Sequence, residues 1–301
     1  MSEVSFARRN RLLLYLTALV ASWVAFTVVG ESLGYIYMIV PVPSSEDCIC
    51  YTAFISWGRT LSFLLMGSVG SILLYLTFRE VVSQPPETRT AARFKLAGEV
   101  TFIFFFFLFL SGLAMRYTGN ELHAYTSLTP PATLLPITPQ ANTYFLVYFF
   151  DEVLGHKLIY LGIVGFIVSV TILQNYHGYT WPLKRADYAL YGALGFLFGA
   201  GIGASSVEGQ AAFEIIIFSA SSFSVMAYFL ATKRMQLVEK SPKGVRSNPF
   251  YAFSLLFLLG LITAILACGA YFGLKPFYPF FTQPSEESTI IQRIILHLSS
   301  Q

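Results

Sequence analysis

Residues 142–174 read NTYFLVYFFDEVLGHKLIYLGIVGFIVSVTILQ, an apolar run broken by Asp151, Glu152, His156 and Lys157 within seven positions. A helix that crosses the hydrocarbon layer needs about 20 residues, and counting back that far from Gln174 begins the span near Gly155. The four ionisable residues then stand at one membrane boundary. At the centre each charge would cost roughly 2.5–3.5 kcal/mol or more. Residues 142–150 become a projecting lead-in to the same helix. At a spacing of four, Tyr148, Glu152, His156 and Tyr160 share one helical face, and Asp151 and Lys157 are directed elsewhere.

Working outward, the whole chain has the same character. Its 301 residues are 55% hydrophobic and only 12% charged, against about 25% charged in soluble domains, and the mean hydropathy is +0.63. The sequence is that of an integral membrane protein. A net charge of +3 gives no ground for a nucleic-acid partner. Cys48, Cys50 and Cys268 form no CxxC pair, so neither a redox motif nor a zinc finger is present.

Seven apolar spans follow, at about 12–30, 55–78, 97–115, 155–174, 187–204, 211–231 and 251–273. The first is longer than the 7–15-residue core of a signal peptide, which makes it a retained span. With the N-terminus inside, fourteen basic residues, from Arg8 to Arg246, lie in cytoplasmic segments, and only Arg59, Arg116, Lys157, Lys275 and Arg293 lie outside. That is the positive-inside bias. The fold expected is an all-α, seven-helix transmembrane bundle, N-terminus inside and C-terminus outside. An extracytoplasmic cap of loops and short helices covers it, from residues 31–54, 116–154 and 275–301. The last of these ends in a short amphipathic helix carrying Ile290, Ile291, Ile294 and Leu298.

Several groups of residues have chemistry to offer. Glu152 and His156, four apart on a helix, can reach one transition-metal ion, with Asp151 beside them and His123 closing the site from the cap. The plainer reading is a hydrogen bond between Glu152 and His156 at the membrane surface. Glu31, Arg59, Arg116, Lys157, Glu208 and Glu214 fall at similar depth and form an outer polar layer. They serve either as an ion or substrate vestibule or as interfacial charges that pair off, Arg59 with Glu214 for instance. Glu99 stands near the inner end of its span, where solvation accounts for it. Gly195, Gly199 and Gly203 repeat every four residues and suit close helix packing. Ser219, Ser221, Ser222 and Ser224 bond within their helix or to a neighbour.

Some classes are excluded. All four histidines lie in loops, tails or span boundaries, so a cytochrome b lacks its axial ligands. The last span has no lysine for retinal. No His-x-x-x-His or Ser-x-x-x-His pair supports a seven-helix metal hydrolase of the adiponectin-receptor and ceramidase kind, and no phosphate loop or GxSxG elbow is present. Three functions stay open, and the sequence does not decide whether the protein is an enzyme. One is a membrane-embedded subunit of a multi-protein complex, docking through its cap and C-terminal helix. The others are an outer-face metal-dependent enzyme using His123, Asp151, Glu152 and His156, and a small-molecule or ion transporter. The expected setting is the lipid bilayer of a cytoplasmic or other cell membrane.

Overall fold

A computed structural model describes residues 3–33, 37–42, 51–82, 89–126, 146–176, 184–231 and 249–273. These residues are helical, with one two-stranded hairpin as the exception. Five helical stretches are long and apolar enough to cross a membrane: Phe63–Val81, Lys95–Asn120, Leu146–Gln174, Arg185–Glu208 and Phe250–Phe272. Two further apolar helical stretches, Asn10–Ala25 and Ala212–Val225, are shorter. The chain divides into two compact units. One comprises Met1–Glu80 and Leu110–Gly155, the other Val81–Phe109 and His156–Gln301.

In the first unit, α1 (Glu3–Leu33) buries Leu12, Leu16 and Leu19, the i, i+4, i+7 stripe of a helix with one packed face. Beyond it come β1 (Tyr37–Val42) and β2 (Tyr51–Ser56), paired antiparallel from Tyr37 opposite Ser56 to Val42 opposite Tyr51. This corrects the expectation of loops and short helices over 31–54. YMIVPV and YTAFIS are rich in aromatic and β-branched residues, which favour a pleated backbone. Ile55 and Ser56 belong to this hairpin rather than to a span. Pro41, opposite Thr52, is tolerated because a two-stranded ribbon leaves every strand with a free edge.

The chain then forms α2 (Trp57–Leu65), a π-helical turn (Met66–Gly70) and α3 (Ser71–Val81) as one rod. Arg11 near the start of α1 forks onto Glu80 at the end of α3, Nε to Oε2 and Nη2 to Oε1, both at 3.1 Å. The rod therefore runs antiparallel to α1. α4 (Arg89–Thr126) is shared between the units. Residues 116–126, expected in the cap, continue this helix for three more turns. In the first unit Tyr117 meets the opposite end of the rod, with its hydroxyl 2.7 Å from Thr60 Oγ1 and its ring stacked on Phe63 at 4.7 Å.

The second unit is built around α5 (His156–Tyr176). In the Leu146–Gln174 stretch that contains it, 67% of the apolar window is buried, against 22% for that of α4. Glycines set the close approaches. A Cβ at Gly98 would strike Leu173, one at Gly165 the Phe105 ring, and one at Gly162 the Phe109 backbone. Numbers rise on α4 as they fall on α5, so the two helices are antiparallel. α6 (Arg185–Glu208) is antiparallel to α5 as well, for the Tyr160 hydroxyl donates to the Ser205 carbonyl and Gly209 abuts His156. α7 (Ala212–Ala231) follows α6 after a tight turn, and α8 (Pro249–Phe272) closes the unit.

The contact between α6 and α8 is the closest. A Cβ at Gly195, Gly199 or Gly203 would overlap the carbonyl oxygen of Phe253, Phe257 or Leu261 in turn. The constant offset means that these two helices run parallel. Small residues at a period of four let backbones approach in this way. Phe250, Phe253 and Phe257, all fully buried, fill the α8 side, with Phe198 packed among them. At the start of α8 the Ser254 hydroxyl lies 2.5 Å from that of Thr171. Each hydroxyl also reaches its own helix carbonyl, at Phe250 and Ile167. With one proton apiece, one hydroxyl donates across the interface and the other to its own helix.

Candidate functional site

The ionisable residues of 151–157 do not share one regular helix, for Asp151 and Glu152 precede it. Phe149–Gly155 is a π-helical turn, closing hydrogen bonds over five residues instead of four, and α5 begins only at His156. The four-residue stripe Tyr148–Glu152–His156 is therefore not maintained through it. Asp151, expected off the face of Glu152 and His156, is 1% exposed, and Glu152 is only half-buried. Insertion of the wider turn rotates the neighbouring carboxylate inward. Such turns occur often at functional sites.

In the first unit, Asp151 is received by glycine. A Cβ at Gly119 would lie 2.7 Å from the Asp151 Cβ, and one at Gly155 would lie 2.8 Å from the Phe150 carbonyl and 3.1 Å from the Arg116 nitrogen. The π turn and the end of α4 are thus in near-backbone contact. Arg116 and Asn120 stand on the same stretch of α4, both half-buried.

In the second unit, His156 is 2% exposed. Its ring stacks on Tyr160 at 5.9 Å with 17° between planes, and Tyr160 is tied to Ser205 at 2.9 Å. The imidazole also lies against Gly209, where a Cβ would clash with the ring. The α6–α7 connection closes over this contact. Ala211 N–H bonds to Ser206 O at 2.9 Å and Gln210 N–H to Val207 O at 3.3 Å, the two bonds of a Schellman turn. The residue in the left-handed conformation is Gln210, at φ 52°. Glycine normally takes that position because it has no Cβ to clash. Here the glycine stands one place earlier, where the histidine ring needs the room, and the strain falls on Gln210. Non-glycine residues held in this way gather at functional sites. Beside the turn, Lys157 is ion-paired with Glu214 in the first turn of α7, the helix end that favours a carboxylate.

The remaining sequence candidates fall as follows. Glu214 has Lys157 as its ion-pair partner, and Glu208 ends α6 half-buried. Glu99 pairs with Lys95 at 3.8 Å, four residues away on the surface of α4. Ser224 bonds to Ala220 O, whereas Ser219 Oγ is buried with no partner among the described residues. The side chains of Glu31, Arg59 and His123, the segment with Cys48 and Cys50, and the expected C-terminal helix lie outside the described residues. Among the described residues no three His, Cys, Asp or Glu side chains come together to hold a metal ion. Gly209, Gln210 and Gln174 were not singled out by sequence, and the only signal for the first two is a Gly-Gln pair after an apolar run. No protein-family model matches the chain, and neither a curated protein nor a solved structure matches it.

Proposed function

We propose that the chain is a seven-span membrane protein, N-terminus inside and C-terminus outside, serving as a membrane-embedded subunit of a larger complex with a polar site at its outer face. In the first unit α1 and the rod are antiparallel, and in the second α4, α5 and α6 alternate in direction, an arrangement that supports repeated crossings. In the second unit α6 and α8 are parallel, so the chain must return between them, and the 20-residue α7 is the helix that can bring it back. Among described residues, Arg93, Lys95, Lys184 and Arg185 lie at the Gln174 end of this unit, which supports placing that end inside.

The observation that carries the functional reading is a closed polar centre with a dry run of helix beneath it. On α5, between Tyr160 and Ser169, no polar side chain intervenes, and Ile163, Val164, Phe166 and Ile167 are at most 2% exposed. That is about 14 Å of helix at 1.5 Å per residue. A charged solute has no relay there, which favours a site used from one face over a path through the bilayer. The aromatic face of α4, with Phe104 and Phe107 exposed, offers a docking side within the membrane. Purification in mild detergent with native mass measurement tests the reading. The expected result is an assembly containing other chains in fixed stoichiometry. A single chain under those conditions overturns the subunit reading and leaves the membrane fold standing.

A further inference from the structure

At the end of the second unit opposite His156, Gln174 is 2% exposed and reaches the first turn of α8, where its Oε1 accepts the Phe250 N–H at 3.1 Å. A backbone N–H only donates, so this bond fixes which way the amide is turned. Nε2 is then the other end, with two protons and no hydrogen-bond partner among the described residues. The helix it joins is 24 residues long and opens with Pro249, which has no N–H. The start of such a helix carries orphan donors and the positive end of the dipole.

Its surroundings are basic. Lys184 and Arg185, both exposed, begin α6 at the same end of the unit. The carboxylates nearby are committed, Asp187 to the Lys184 N–H at 2.9 Å and Glu99 to Lys95. The apolar stretch Leu146–Gln174 ends at this residue, so the amide lies at the edge of the apolar layer.

We propose that the Gln174 amide and the first turn of α8 hold a phosphate group, that of an anionic lipid headgroup. Donors converging on a helix N-terminus are the arrangement that binds phosphate oxygens, and an anionic leaflet lies where basic segments gather. The lipid source rests on the membrane reading above; the phosphate chemistry does not.

The test uses the full chain in mild detergent, titrated with phosphatidylglycerol, phosphatidylcholine or inorganic phosphate, with bound lipid counted by native mass spectrometry. Phosphatidylglycerol should bind in preference to phosphatidylcholine. Gln174→Glu retains an acceptor for Phe250 N–H and removes the donor. It should weaken phosphatidylglycerol binding about tenfold or more with the helical circular-dichroism spectrum retained. Gln174→Met removes both roles and should lower the thermal midpoint as well. Displacement of the lipid by millimolar inorganic phosphate keeps the phosphate site and moves its ligand to solution. Equal binding by wild type and Gln174→Glu, or no preference between the lipids, overturns the proposal. Extraction of the protein from membranes by detergent but not by alkaline carbonate upholds the membrane reading separately, whichever way the lipid result falls.

Discussion

A Cβ added at Gly67 or Gly70 of the first unit would meet no heavy atom within 4 Å, whereas one at Gly195, Gly199 or Gly203 of the second would run into a backbone carbonyl of α8. Both sets sit in apolar helices at short spacing. In the second unit glycine is the condition for two parallel helices to touch, and the packing of backbone on backbone offsets the cost of its flexibility. In the first unit the glycines line a π-helical turn with space beside it, and Ser71 Oγ, buried next to them, has no hydrogen-bond partner among the described residues. The lesson is that a small residue in a membrane helix marks close packing only when a partner backbone is opposite it.

The sharpest way to break this contrast is Gly199→Ala. Its Cβ meets the Phe257 carbonyl, which cannot rotate away as a side chain can. A loss of about 2–3 kcal/mol is expected, read as a fall in the thermal midpoint in detergent. A neutral result would mean that α6 and α8 are further apart than described. Next comes Gly209→Ala, where the obstacle is the His156 ring and some adjustment is open to it. The expected loss is about 1–2 kcal/mol. In the double variant with His156→Ala the two effects should be strongly non-additive, and simple additivity would separate Gly209 from the histidine.

Gln210→Gly should act in the opposite direction. Removing the Cβ from a residue at φ 52° should raise stability by about 1 kcal/mol. Loss of binding by the complex in this variant, at higher stability, would identify the strained turn as functional. The smallest change is Gly70→Ala, expected to stabilise by about 0.5–1 kcal/mol because helix propensity rises and nothing obstructs the methyl group. Destabilisation there would show that the π turn needs its glycine, and the contrast between the two units would have to be redrawn.

The candidate site divides along the same line. That 151–157 is a special interruption of an apolar run is visible in the residues alone, since charge beside a long hydrophobic stretch is a local property. Which carboxylate turns inward was not legible. Asp151 and Glu152 have the same chemistry, and a π turn is decided by how the helix packs against Gly119 and Gly112 of α4. Likewise Gly-Gln after Glu208 reads as an ordinary helix end, and only the His156 ring explains why glycine occupies the first position and not the second. The hairpin at Tyr37–Ser56 was missed because two six-residue apolar stretches look the same beside a long helix as they do in a strand.

By itself the amino-acid sequence determined that this chain is built from apolar helices suited to a bilayer. Lipid offers no hydrogen bonds to the backbone, so that requirement is met segment by segment and is written in each segment's composition. It also marked where ionisable groups interrupt those segments. The tertiary structure decided which helices touch within each unit, that α5 is the central one of the second, and that His156 lies beneath a strained turn. It also left Gln174 bridging to α8 with no partner for its Nε2 among the described residues. Those outcomes depend on contacts between residues tens of positions apart, and no local pattern in the chain encodes them.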